Sequence, residues 1–129
     1  MTDTPKPIEI THFINPNKFF FKYTHLNNSS TELLQMRLND YYSDNNCQSN
    51  RAFFSCLQEG SKVVYYSKTN WIRCQIDKIF KINLIDTVVL WSIDYGYPIR
   101  ITSENMVKML TSEFGDIPSP IMCGGLNVS

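Results

Sequence analysis

Between Lys62 and Ile101 four apolar runs follow one another with very little chain between them. They read KVVYYS (62–67), WIRCQIDKIF (71–80), DTVVLWSI (86–93) and YPIRI (97–101), each rich in β-branched and aromatic residues. The breaks are KTN (68–70), a stretch near KIN (81–83) and DYG (94–96). Four short strands so closely spaced predict a small, strongly bent antiparallel barrel, not a flat sheet.

The flanks read differently. IEITHFI (8–14) alternates apolar and polar residues, NPN (15–17) is a turn, and KFFFKY (18–23) is a second strand, so the pair predicts a hairpin. NNSS (27–30) is a loop ending in a capping box, Ser29 with Glu32, and opens a helix to about Tyr42. Leu34, Leu38, Tyr41 and Tyr42 fall on one helical face, read as core packing. SDNNCQSN (43–50) is a polar loop. SENMVKML (103–110) reads as a short helical segment capped by Ser103, and IPSPIMCGGLNV (117–128) as a turn followed by a final apolar strand. The order is hairpin, helix, barrel and return element: a barrel packed on a second α/β lobe.

Composition narrows the function classes. At 129 residues the chain suits one domain, with room for two lobes. Lys plus Arg and Asp plus Glu balance at 12 each, which lacks the footprint of a dedicated nucleic-acid binder or of a membrane-surface protein. Lys18 and Lys22 flank three phenylalanines in a pattern that could stack bases, but with no net charge a core strand is preferred. Cys47, Cys56, Cys74 and Cys123 include no Cys-x-x-Cys pair, and His12 and His25 are remote from them, so no metal is expected. The first residues carry no apolar signal core and no run is long enough to cross a membrane. The chain reads as intracellular with reduced cysteines, and the sequons at Asn27, Asn28 and Asn127 as silent. Asp40, Asp44, Asp77 and Asp86 are scattered, and no nucleophile stands beside a base, so neither catalysis nor a cofactor is expected.

The DYG break is read as a tight hairpin. Gly96 supplies positive φ, and the Asp94 side chain can bond its own backbone to shape the turn. Such a hairpin end can bring Tyr95 and Tyr97 near Tyr65, Tyr66 and Trp71. Rings gathered at the open end of a small barrel attract a guanidinium or ammonium by about 0.5–2 kcal/mol per contact. The same rings also serve simply to pack the barrel and close its ends.

At these residues the sequence resembles the Tudor domain family. The family's pattern is a Gly-led first strand, then an aromatic turn followed by an apolar residue, Arg and a small residue, and a later strand ending in Asp-Tyr-Gly. Here those are Gly60, Trp71-Ile72-Arg73-Cys74 and Asp94-Tyr95-Gly96. The flanks 10–44 and 117–128 resemble the staphylococcal-nuclease-like lobe of the extended Tudor module. The resemblance covers about residues 8–128. That module continues with further strands of the second lobe, so here that lobe is expected to be partial.

The resemblance implies a fold that is mainly β with some α: a small bent Tudor barrel flanked by a partial staphylococcal-nuclease-like, OB-type α/β lobe. It implies a division into 8–55 and 111–129 for the lobe and 56–110 for the barrel. It implies a protein-interaction module of the germline piRNA pathway, in cytoplasmic germ granules or perinuclear ribonucleoprotein bodies. The partner would be the Arg-Gly tail of a Piwi-type Argonaute or another Arg-Gly protein, methylated or not. The family's pocket has four aromatics and an Asn. Position by position these fall on Tyr66, Ile72, Ser92, Tyr95 and Tyr97, so two of the five fit. Two lost ring faces would cost about 1–3 kcal/mol of cation attraction. Tyr66, Tyr95 and Tyr97, with Trp71 as an addition, are the candidate pocket residues. The alternative is a scaffold without methylarginine binding that acts through self-association, by the helix or the run FINPNKFFF, or through another protein-binding face.

Overall fold

Residues 7–24, 29–43 and 51–125 are described by a computed structural model. The hairpin pattern gives β1 (Ile8–Asn15) and β2 (Lys18–Tyr23), paired antiparallel. The helix α1 covers Ser29–Tyr42 and ends where the sequence pattern ends. The side chain of Ser29 lies outside the described residues, as do the asparagine sequons, Cys47 and nearly all of the 43–50 loop. Next come β3 (Lys62–Ser67), β4 (Asn70–Ile82), β5 (Ile85–Ser92) and β6 (Pro98–Ile101). Two short strands, β7 (Val107–Met109) and β8 (Met122–Gly124), flank the one-turn helix α2 (Ser112–Gly115).

Residues 103–110 hold a strand, not a helix. Ser103 Oγ accepts the Asn105 N–H in a local turn, after which Val107 lies opposite Tyr65 and Met109 opposite Val63. Without β7 the free edge of β3 would expose unpaired backbone groups, so sheet pairing outweighs a weak local helical preference.

The strands form two antiparallel sheets, a three-stranded one in the order β1-β2-β8 and a five-stranded one in the order β6-β5-β4-β3-β7. All five strands of the larger sheet send side chains into one cluster: Val63, Ile72, Cys74, Ile76, Val88, Leu90, Ile101 and Val107. A flat sheet could not bring both of its edges to one cluster, so the sheet is curled into the expected bent barrel. A bulge between Ile76 and Lys78 helps to bend the long strand β4. The chain is thus mainly β, with helix at its flank.

A second core lies outside the barrel. Val64 and Trp71 on the outer face of β3 and β4 meet Leu34, Leu38 and Tyr42 of α1, with Phe114 of α2. Tyr41 is the one member of the expected helix face that stays partly open, edge-on to Phe114. The two sheets meet through Trp91 of β5, whose ring centroid is 4.4 Å from Phe20 and 5.8 Å from His12.

Candidate functional site

Arg73 is an odd residue for the middle of an apolar strand. It is 1% exposed, and Asp94 at the DYG turn is 5% exposed. The two form a forked ion pair, Nε to Oδ2 at 2.8 Å and Nη2 to Oδ1 at 2.5 Å. The remaining guanidinium hydrogens reach backbone: Nη1 donates to the carbonyls of Phe114 at 2.8 Å and Ile117 at 2.6 Å. A buried charge survives only with such complete pairing. The Asp94 carboxylate therefore ties the turn to the 114–117 segment through Arg73, which corrects the expectation that it bonds its own backbone. The turn itself is closed by main-chain bonds, from Gly96 N–H to the Ser92 carbonyl and from Ser92 N–H to the Tyr97 carbonyl, both 2.9 Å.

Gly96 has φ of +72°, as expected, and a second constraint as well. A Cβ there would stand 2.3 Å from Thr11 Oγ1 and 3.0 Å from Ile121 Cγ2. The turn thus lies directly against β1 and the return segment.

The candidate aromatics are not gathered in one place. Tyr66 and Trp71 point to the outer face of the barrel wall, with ring centroids 5.2 Å apart. Trp71 is 7% exposed, and Lys108 Nζ stands 4.8 Å from its ring centroid while donating to the Tyr42 carbonyl. Tyr95 packs instead against the barrel core, as does Tyr65. Side chains alternate across a strand, so Tyr65 and Tyr66 face opposite sides of the wall. Ile72 and Ser92, which replace two aromatics of the family pattern, are both buried, and Ser92 Oγ has no hydrogen-bond partner among the described residues. Tyr97 is 38% exposed.

Tyr95 is held from a distance. Its hydroxyl donates to Gln35 Oε1 of α1 at 2.8 Å. Gln35 Nε2 donates to the Trp71 carbonyl at 2.5 Å, and Asn39 Oδ1 accepts the Trp71 N–H at 2.8 Å. Helix and barrel thus fix the ring together. Burial and then the Asp94 charge push the Tyr95 hydroxyl above its usual pKa, and burial followed by Cys74 does the same for Tyr97. Burial, with Asp94 second, pushes the Cys74 thiol far up. All three groups are neutral at physiological pH, so they act as hydrogen-bonding and apolar walls.

Tyr95 also opens onto a cleft of about 620 Å³ between the two lobes. Its walls are Lys22 and Tyr23 of β2, Glu32 and Gln35 of α1, Asp94 and Tyr95 of the turn, and the segment from Ile117 to Pro120. Of the four candidates, Tyr95 alone lines it. Gln35 was not singled out by sequence reasoning, since its role depends on a partner 60 residues away.

Comparison with known proteins places this arrangement. A family description, Tudor domain, matches residues 2–123. No curated protein matches. The extended Tudor domain of Drosophila melanogaster Papi superimposes with a TM-score of 0.80 at 18% identity, over 96% of this chain and 63% of that one. The extended Tudor domain of BmPAPI gives 0.77 at 15% identity, over 92% and 65%. An extended Tudor domain of mouse TDRD1, in complex with a MILI peptide containing dimethylarginine, gives 0.70 at 16% identity, over 95% and 61%. The chain spans less than two thirds of the length of each.

Proposed function

This chain belongs to the Tudor domain family, and from that premise we propose that it is a non-enzymatic protein-interaction module that takes Arg-Gly peptides in the cleft between its lobes. The observation that carries the reading is Tyr95, a ring fixed by Gln35 and opening onto a cleft large enough for a peptide. Glu32 at the cleft wall favours a cationic guest, while Lys22, which also lines the cleft, is paired with Glu9 at 3.7 Å. The partner is the tail of a Piwi-type Argonaute or a similar Arg-Gly protein, in keeping with the MILI peptide held by the TDRD1 domain. The reading includes a place in the piRNA machinery of cytoplasmic granules.

The altered pocket sets the selectivity. Tyr66 packs in the outer cluster beside Trp71 and does not line the cleft, and Ile72 and Ser92 are buried without presenting rings. Few ring faces remain to enclose methyl groups. Binding should be weak, with Kd on the order of 10⁻⁴ M, and the unmethylated and symmetrically dimethylated peptides should agree within about threefold. Calorimetric titration with both peptides tests this. A tenfold preference for the methylated form would overturn the selectivity, and absence of heat from both would overturn the peptide reading.

One observation favours a second reading, a scaffold that pairs with itself. Ile8, Ile10, Phe13 and Met122 are all exposed on the three-stranded sheet. A mass that doubles with concentration in light scattering would support that reading.

A further inference from the structure

We propose that the outer face of the barrel carries a second binding site, for a cationic peptide side chain and above all for arginine, separate from the Tyr95 cleft. The site is a hollow of about 580 Å³ between the β1–β2 hairpin and the β4–β5 wall. It shares no lining residue with the Tyr95 cleft.

Three rings form its floor. Trp91, Phe20 and His12 are each half-buried, with Trp91 tilted against Phe20 and edge-on to His12. Two carboxylates, Glu59 and Asp77, stand at its rim. The fold puts them there by two separate devices. Asp77 is the extra residue of the β4 bulge, so it leaves the pairing register. Glu59 precedes Gly60, whose φ of +92° and N–H bond to the Ile76 carbonyl at 2.8 Å bring that turn beside the bulge. Neither carboxylate has an ion-pair partner among the described residues, and Lys18 is the one lysine or arginine that lines the hollow.

Aromatic rings and two carboxylates without ion-pair partners, lining one hollow, suit a guanidinium better than other guests. Its plane stacks on an indole while its edge forks to a carboxylate. A lysine ammonium could make the second contact but gives up the stacking. The inference does not depend on the Tyr95 cleft binding anything.

The test is an NMR titration of the whole chain with N-acetyl-arginine amide, and in parallel with its uncharged citrulline counterpart. The Trp91 indole N–H and the Gly60 amide should move and saturate with arginine and stay still with citrulline. The isosteric double variant Glu59→Gln, Asp77→Asn changes exposed groups only and should weaken the effect about fivefold or more. Tyr95→Ala should leave it unchanged, which separates this site from the Tyr95 cleft. A still Trp91 signal, equal shifts with citrulline, or full affinity in the double variant would each overturn the proposal.

Discussion

Asp94 and Tyr95 are neighbours in one tight turn, yet their side chains answer to different demands. Asp94 looks into the protein, where both carboxylate oxygens are taken by the buried Arg73 guanidinium. Tyr95 packs against the barrel core and opens onto the cleft, with one hydrogen bond to Gln35. Gly96 belongs with Asp94, because Thr11 and Ile121 leave no room for a side chain. Two of the three residues in the Asp-Tyr-Gly signature therefore serve the fold, and the third opens onto the cleft. The difference explains how a chain can keep this signature while Ile72 and Ser92 depart from the family's pocket. Residues that close a buried charge cannot drift singly, whereas ring positions around a ligand can.

The largest test of this contrast is Asp94→Ala. It strands the Arg73 charge in the core and should cost about 3–5 kcal/mol, enough to unfold most of the protein in a denaturant or thermal melt. Next is Gly96→Ala, which adds a Cβ in a left-handed conformation with no free space. A loss of about 2–3 kcal/mol in urea unfolding is expected, with the lobes loosened at Thr11. Tyr95→Phe sits on the other side of the comparison. It removes the bond to Gln35 and should cost about 1 kcal/mol, read as a shift of a few degrees in melting temperature. The smallest effect lies far from the turn. Asn83 and Leu84 make the β4–β5 loop with φ of +50° and +70°, and Leu84 is 92% exposed. Leu84→Gly relieves that strain and should raise stability by about 0.5–1 kcal/mol in the same melt.

Much of the fold was legible because the patterns were strong. KVVYYS gave β3 to the residue, and the spacing of Leu34, Leu38 and Tyr42 gave α1 and its buried face. The stretch 103–110 misled because nothing local records that Val107 would meet Tyr65 across a sheet. The site was read less well for a physical reason. A strand buried on both faces loses its alternation, so Val63, Val64, Tyr65 and Tyr66 look alike in sequence although they feed two different cores. That is why Tyr66 was grouped with Tyr95. The Arg73–Asp94 pair left a usable signal, since an arginine inside WIRCQI needs a buried partner somewhere. The link from Gln35 to Tyr95 left none, because an exposed-looking glutamine on a helix is ordinary.

We propose that Tyr95 serves a ligand while its neighbours in the turn serve the fold. This proposal is tested most directly by titrating Tyr95→Ala with the unmethylated Arg-Gly peptide in a calorimeter, on protein whose melting curve has been recorded. Cooperative unfolding is expected, at a melting temperature lowered further than in Tyr95→Phe because ring packing is lost along with the bond, together with the loss of binding heat. Full peptide affinity in a folded Tyr95→Ala protein would contradict it, as would a variant that fails to fold at all.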